Sequence, residues 1–267
     1  MSDLHDPIAP TDSGYADVNG LHLYWERYGE DETRPPLVLL HGGMLTIELN
    51  FAGLIPTLAE THTVLGIEQQ GHGRTGNIDR PITYPNLAAD VVALLDHLDI
   101  ERATVIGHSM GGGAVLELLA NHRDRLAAAV PISASISSDG MHPDLSDPSV
   151  FATSPIMPTA QDFADFKAAY ERLSPHPEQF DSFLASLGAM DADFAGWSAE
   201  QLGAVDCPVL IAQGDRDFTL NSHAALMQES IPGSALAILP ETTHMQVTRR
   251  SEVLLPILTS FFDAHGI

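Results

Sequence analysis

One cysteine, Cys207, and one lysine, Lys167, are all that the 267 residues hold of these two types. A lone thiol builds no intramolecular disulfide and no multi-thiolate zinc or iron–sulfur site, so the chain must be held by its own core, and a reducing setting, the cytoplasm, is expected. Basic residues are scarce altogether: 12 Lys and Arg stand against 36 Asp and Glu, a net charge of -24. Such a surface repels phosphate backbones and anionic lipid, which argues against nucleic acid as a partner. The surplus fits adaptation to high salt, and equally plain solubility in a lysine-poor protein. Long apolar runs are missing too. None reaches the roughly 18 residues that a membrane span needs, and Met1 to Gly14 has neither the basic nor the apolar region of a secretion signal. Repeats and low-complexity tracts are also absent.

The apolar residues, 44% of the chain with Tyr and Cys counted in, are arranged for a single large α/β domain. Ser13 to Asn19 and Leu21 to Tyr28 flank Asn19-Gly20, a tight-turn dipeptide that predicts an antiparallel pair. Short continuous apolar runs follow at Leu37 to Leu40, Val64 to Ile67, Ala103 to Ile106, Ala127 to Ile132, Pro208 to Ala212 and Ala235 to Leu239, as expected of parallel strands buried on both faces. Helical spacing lies between or after them, over Leu49 to Glu60, Asn86 to Leu98, Met110 to Asn121, His223 to Ser230 and Ser251 to Ala264. The alternation predicts a doubly wound, mostly parallel sheet with helices on both faces. It stops after Ile132. Residues 136–203 hold 8 of the 17 aromatics and read as a helical cap inserted after the sixth strand, leaving 1–135 and 204–267 as the core domain.

Chemistry concentrates at Gly107-His108-Ser109-Met110-Gly111, where an apolar strand ends and a helix-capable run begins at once. In that context G-x-S-x-G lifts a serine hydroxyl onto a sharp turn, with glycines where neighbouring backbones crowd together. A helix N-terminus beside Ser109 favours negative charge. A serine hydroxyl is a poor nucleophile at neutral pH and needs a base oriented by an acid. The ligand-facing ends of the last two strands offer both: Gly214-Asp215-Arg216-Asp217 after one, and Glu241-Thr242-Thr243-His244 after the other. Asp215 or Asp217 is the acid by this reading, with Asp139, after the preceding strand, as a third choice. No H-E-x-x-H or other close ligand spacing occurs, so no metal is expected.

Together these residues resemble the α/β-hydrolase family, whose triad runs Ser, Asp, His along the chain. His41-Gly42-Gly43 is similar to the family's oxyanion loop, and Gly71-His72-Gly73-Arg74-Thr75 to its G-H-G-x-S stretch with threonine in the last place. The resemblance covers the chain apart from the cap and implies the α/β-hydrolase fold. It also implies Ser109 as nucleophile, His244 as base and Asp217, third after Gly214, as acid. The backbone N–H groups of Met110 and Gly43 are then the oxyanion donors, with Met44 the other choice for the second. Neither a cofactor nor a metal is implied, and His41 and His72 become structural.

Around the proposed centre, Met44, His108, Met141, Met157 and Met245 are candidate pocket residues, flexible thioethers suiting varied apolar groups. The cap adds Phe151, Phe163, Phe166, Tyr170, Phe180, Phe183, Phe194, Trp197 and Met190, an apolar roof in which Phe163, Phe166 and Tyr170 form a helical stripe that packs the cap itself. Eleven acidic residues against Lys167 and Arg172 in the cap disfavour anionic substrates, unless Arg216 or Arg74 reaches the site. The leading expectation is a cofactor-free serine hydrolase for small to medium, uncharged, apolar carboxylic esters, the ester being its small-molecule partner. Lactone or carbon–carbon bond hydrolysis, cofactor-free haloperoxidase or perhydrolase activity, and a ligand receptor that retains the triad are the alternatives. Oligomeric state leaves no mark in the sequence.

Overall fold

A computed structural model describes residues 8–31, 33–150, 153–190 and 194–267. Strands β1 (Asp12–Val18) and β2 (Leu21–Tyr28) pair antiparallel about Asn19 and Gly20, both at positive φ as a tight primed turn requires. Then come β3 (Leu37–Leu40), α1 (Ile47–Phe51), α2 (Ile55–Leu58), β4 (Val64–Ile67), α3 (Tyr84–His97), β5 (Ala103–His108), α4 (Met110–Asn121) and β6 (Leu126–Ile132). The connection from β6 to β7 carries α5 (Ala160–Leu173), α6 (Phe180–Gly188) and α7 (Ala199–Gly203), and β7 (Leu210–Arg216), α8 (Asn221–Ser230), β8 (Ala235–Thr243) and α9 (Ser251–His265) follow.

All eight strands join one sheet in the order β1-β2-β4-β3-β5-β6-β7-β8. The β2–β4 pair is antiparallel and every pair from β4 to β8 is parallel. Because β4 lies on one side of β3 and β5 on the other, the winding reverses there, and a crevice opens beyond the carboxyl ends of β3 and β5. Every residue of β3, β4 and β5 is buried, which explains their unbroken apolar runs. One face of the sheet packs Val91 and Leu94 of α3, Val115 and Leu118 of α4 and Met227 of α8. The other packs Phe51 of α1 and Leu254, Leu258 and Phe262 of α9. Each such side chain contributes about 1.5–3 kcal/mol by leaving water.

Several element boundaries shift by a few residues from the sequence expectation, two of them for backbone reasons. The helix expected over Leu49 to Glu60 is two short helices, because Pro56 lacks the N–H that a continuous helix would use and instead sits in the first turn of α2. The seventh strand starts at Leu210 rather than Pro208 and runs on to Arg216, with an irregularity between Gly214 and Arg216. Asp215 therefore belongs to the strand, and Asp217 is the first residue beyond it.

In the β6–β7 connection, Thr159 and Asp162 close a capping box at the start of α5. The aromatic stripe of α5 divides: Phe163 is 45% exposed, Phe166 is buried, and Tyr170 stacks on Phe183 of α6 at 5.1 Å. Farther on, the Trp197 indole N–H donates to Glu117 Oε2 of α4 at 2.6 Å, tying this connection to the sheet's helical layer. Phe151 lies outside the described residues.

Candidate active site

Ser109 sits between the last residue of β5 and the first of α4 with φ 54° and ψ -114°, a strained backbone for a residue with a side chain. The turn is held from both sides: the Ser109 N–H donates to the Ile132 carbonyl at 2.8 Å, and the Ser109 carbonyl accepts from Gly113 N–H at 2.9 Å. It is also tight. A Cβ on Gly107 would lie 2.1 Å from the Gly111 carbonyl oxygen, and one on Gly111 equally close to that of Leu40. Gly107→Ala is therefore expected to cost about 3 kcal/mol or more, read as a lower urea midpoint with unchanged slope.

Beyond β7 and β8, His244 Nδ1 lies 2.6 Å from Asp217 Oδ1. A carboxylate only accepts, so Nδ1 carries the proton and Nε2 is the ring's basic nitrogen. The Asp217 carboxylate accepts three further hydrogen bonds, from Ser133 Oγ at 2.6 Å, Gly214 N–H at 3.0 Å and Phe218 N–H at 2.6 Å. Burial pushes the Asp217 carboxyl up, but the charge of His244 and these hydrogen bonds outweigh it and hold the group below the usual carboxylate range. Phe218 stacks on the imidazole with centroids 3.8 Å apart and planes at 12°, so the ring is held in direction and in tilt. Asp215 is exposed and turned to β8, where it accepts from Thr242 N–H at 2.9 Å. Asp139 is likewise exposed.

The loop after β3 faces Ser109 from the other side of the crevice. Gly42 N–H donates to Asn50 Oδ1 at 2.8 Å, and the loop rests on two buried histidines. His41 accepts from Gln69 N–H on Nε2 at 3.1 Å, its Nδ1 being 2.8 Å from the Gly42 carbonyl. His72 accepts the Met44 N–H on Nε2 at 3.0 Å, its Nδ1 being 2.9 Å from the Gln70 carbonyl. Burial pushes His41 down to about 4 and His72 well below the usual range, so both stay neutral, as an accepting Nε2 requires. The Met44 amide is thus taken. A Cβ on Gly43 would meet nothing within 4 Å, so the loop offers its open face there. Met110 begins α4, where N–H groups have no intrahelical partner.

Ser109, His244, Gly43 and Met110 line one cavity of about 470 Å³. Of the expected pocket residues, Met44, His108, Met141 and Met245 are in its wall. Met157 is not: its turn, with Met157 N–H donating to the Ser154 carbonyl at 3.2 Å, brings Pro158 to the wall instead. His108 faces two acceptors, the His244 carbonyl 3.0 Å from Nε2 and Asn50 Oδ1 3.2 Å from Nδ1, and as a neutral ring it donates to one of them, the nearer carbonyl. Burial and the neighbouring His244 push it down to about 3, so it is a neutral strut under His244. The connection from β6 to β7 contributes Phe166, Leu184, Leu187, Met190 and Phe194.

Contributors missed from the sequence include Tyr84 at the start of α3, Phe218 on the imidazole, the serines that leave β6, and the wall residues Leu45, Leu184 and Leu187. Only Ser133 carried a signal, since the end of β6 adjoins β7 in any sheet of this order. Among the described residues, no Lys, Arg, Asp or Glu lines the cavity. Arg74 is paired with Glu68 at 2.8 Å and Glu26 at 3.4 Å, and Arg216 is exposed on β7. Among the described residues, no group of three or more His, Cys, Asp or Glu is placed to hold a metal ion.

Residues 35–176 match the family model for the alpha/beta hydrolase fold. The chain belongs to the α/β-hydrolase fold family. Two relatives match local segments. One is the putative non-heme haloperoxidase of Mycobacterium phage D29, 37% identical over 108 residues, 40% of this chain and 38% of that protein. The other is esterase YbfF of Escherichia coli (strain K12), 38% identical over 97 residues, 36% of this chain and 37% of that one. The matched segments thus span under two fifths of the length of either relative. Over nearly the whole length, the fold is similar to the crystal structure of the enol-lactonase from Burkholderia xenovorans LB400. The TM-score is 0.69 at 21% identity, covering 93% of this chain and 99% of that one. The α/β-hydrolase match includes the Gly43 loop and Ser109 but ends before Asp217 and His244. Those two meet through the geometry of this chain's own sheet. No helix among the described residues is long and apolar enough to cross a membrane.

Proposed function

We propose that this α/β hydrolase is a serine hydrolase that cleaves carboxylic esters of small to medium, uncharged, apolar substrates through an acyl-enzyme. The observation that carries the reading is the His244 ring, clamped between Asp217 and Phe218 in the wall of a cavity that Ser109 shares. In the reaction, Ser109 Oγ attacks the ester carbonyl carbon while its proton passes to His244 Nε2. The oxyanion is met by the N–H groups of Met110 and Gly43. The tetrahedral centre collapses, the alkoxide takes the proton from His244 and leaves as alcohol. Water, deprotonated by the same nitrogen, then hydrolyses the acyl group from Ser109. Asp217 fixes the imidazole tautomer and stabilises the imidazolium. We further read 136–203 as a cap over a core of 1–135 and 204–267, the cap closing the apolar side of the cavity.

The neutral, methionine- and leucine-rich wall sets the substrate class. A carboxylate brought into it would lose its water and find no cationic partner among the described residues. This weighs against hydrolysis of dienoates or coenzyme A esters. Two sets of initial rates test it. Among straight-chain p-nitrophenyl esters, kcat/KM is expected to rise by about 0.8 kcal/mol, near fourfold, per buried methylene until the acyl chain outgrows the cavity. p-Nitrophenyl butyrate is expected to exceed the mono-p-nitrophenyl ester of succinate by about 100-fold or more, and Leu187→Arg to shrink that ratio at least about tenfold. Equal rates on the two esters would overturn the substrate assignment.

A further inference from the structure

The segment that leaves β6 reaches both the cavity and the loop that carries Asp217. Ser133 donates to the Asp217 carboxylate, and Ser133, Ser135 and Ser137 line the cavity. Farther on, the segment runs alongside the loop after β7. Leu220 N–H donates to the Gly140 carbonyl at 2.8 Å, His142 N–H to the Phe218 carbonyl at 2.6 Å, and Met141 bridges Thr219 in antiparallel fashion. Asp217 and Phe218, the two residues that hold the His244 ring, therefore share a short clasp with one wall of the cavity.

The inner end of that clasp is closed by His223, in the first turn of α8. Its Nε2 lies 2.9 Å from Ser135 Oγ and accepts the Ile136 N–H at 3.2 Å. An amide only donates, so Nε2 must be unprotonated. The fit leaves no slack: a Cβ on Gly140 would lie 2.3 Å from Ser135 Oγ and 2.4 Å from the His223 ring, which is 6% exposed.

We propose that His223 is a positioning residue of this site: as a hydrogen-bond acceptor it pins the Ser133–His142 segment to α8 and so keeps the Asp217–Phe218 loop against His244. Its effect on turnover rests on the serine hydrolase reading, whereas its effect on the clasp does not. Protonation makes Nε2 a donor facing the Ile136 N–H, and the clasp loses its inner anchor. Burial holds His223 below the usual imidazole range, while Asp139, the charged group that acts on the ring, favours protonation. The ring is neutral at pH 7 and the clasp is shut; acid opens it.

The test pairs His223→Phe, which keeps a ring and removes the acceptor, with His223→Gln, whose Oε1 accepts the same amide and does not titrate. In amide hydrogen exchange by mass spectrometry, the Phe variant is expected to speed exchange across residues 134–142 and 218–220 about tenfold, with α4 unchanged. Its kcat on p-nitrophenyl butyrate falls about tenfold with a smaller change in KM. The Gln variant stays within about threefold of wild type in both at neutral pH. On acidification from pH 7 through and below the usual imidazole range, intrinsic-rate-corrected exchange of the segment rises in wild type and not in the Gln variant. Unchanged exchange in a folded Phe variant, or acid opening that persists in the Gln variant, would overturn the proposal; if the Phe variant does not fold, the pH comparison still decides. Clasp opening in a protein without ester turnover would sink the hydrolase reading and leave this inference standing. Turnover with an unresponsive clasp would do the reverse.

Discussion

Ser109→Ala is expected to lower kcat on p-nitrophenyl butyrate by about 10^5-fold or more, to a rate that only positioning and the oxyanion donors sustain. In the proposed reaction the hydroxyl forms the acyl bond, and the other serines in the cavity wall stand on the segment that leaves β6. Ser133, Ser135, Ser137 and Ser138 also line the cavity; Ser133 donates to Asp217, Ser135 packs against His223, and Ser137 and Ser138 follow on the same segment. Alanine meets the same backbone demand at φ 54° as serine does, so the variant is expected to fold with a thermal midpoint close to that of wild type. His244→Ala loses a comparable factor, and the double variant loses little more, because nucleophile and base act as a unit. The measurement is initial rates of the three variants in parallel, with circular dichroism to show that each is folded. More than about 1% of wild-type turnover in folded Ser109→Ala would remove Ser109 from the chemistry.

Much of this arrangement is legible in residue order, and what is not legible has identifiable causes. Continuous apolar runs mark strands buried on both faces, and the run ending at Gly107-His108-Ser109 shows the turn because glycines are needed where backbones meet at about van der Waals contact. Helix length around Pro56 and strand length around Pro208 are set by missing backbone donors, and a hydrophobic pattern does not weigh these. The choice between Asp215 and Asp217 depends on where β7 ends, which rests on pairing with β8 four residues beyond the last apolar residue of the run. Met44 against Gly43 depends on His72, 28 residues away, taking one amide. Phe218 carries no sequence signal, since its role is a stacking contact across two loops. Met157 and Pro158 are neighbours, and only the turn before α5 decides which reaches the cavity. The details thus turn on contacts between segments distant in the chain, while the elements follow from local spacing.

Asp217→Asn is expected to lower kcat by about 10^4-fold, and Asp215→Asn to leave it within about threefold. The reason lies in the four donors around Asp217. An amide group must place its NH2 against one pair or the other. Towards Ser133 Oγ and Gly214 N–H, it confronts a backbone donor that cannot reverse. Towards Phe218 N–H and His244, it confronts another, and it turns the imidazole to the tautomer with its proton on Nε2, which cannot accept from Ser109. Either orientation leaves a buried donor unpaired, so the variant also loses about 1–3 kcal/mol of stability. The depressed titration of Asp217 adds a pH signature. Its folded-state value lies below the unfolded one, so its contribution to stability is present above about pH 4 and is lost as the pH falls further. That acid-side loss should be smaller in Asp217→Asn than in wild type. Asp215 is exposed, and the bond its side chain accepts from Thr242 N–H passes to an asparagine oxygen unchanged. The comparison is therefore between two aspartates two residues apart, of which only Asp217 touches the imidazole. A collapse of turnover in Asp215→Asn with Asp217→Asn active would move the orienting acid into the strand and dissolve the clamp on which the assignment of His244 depends.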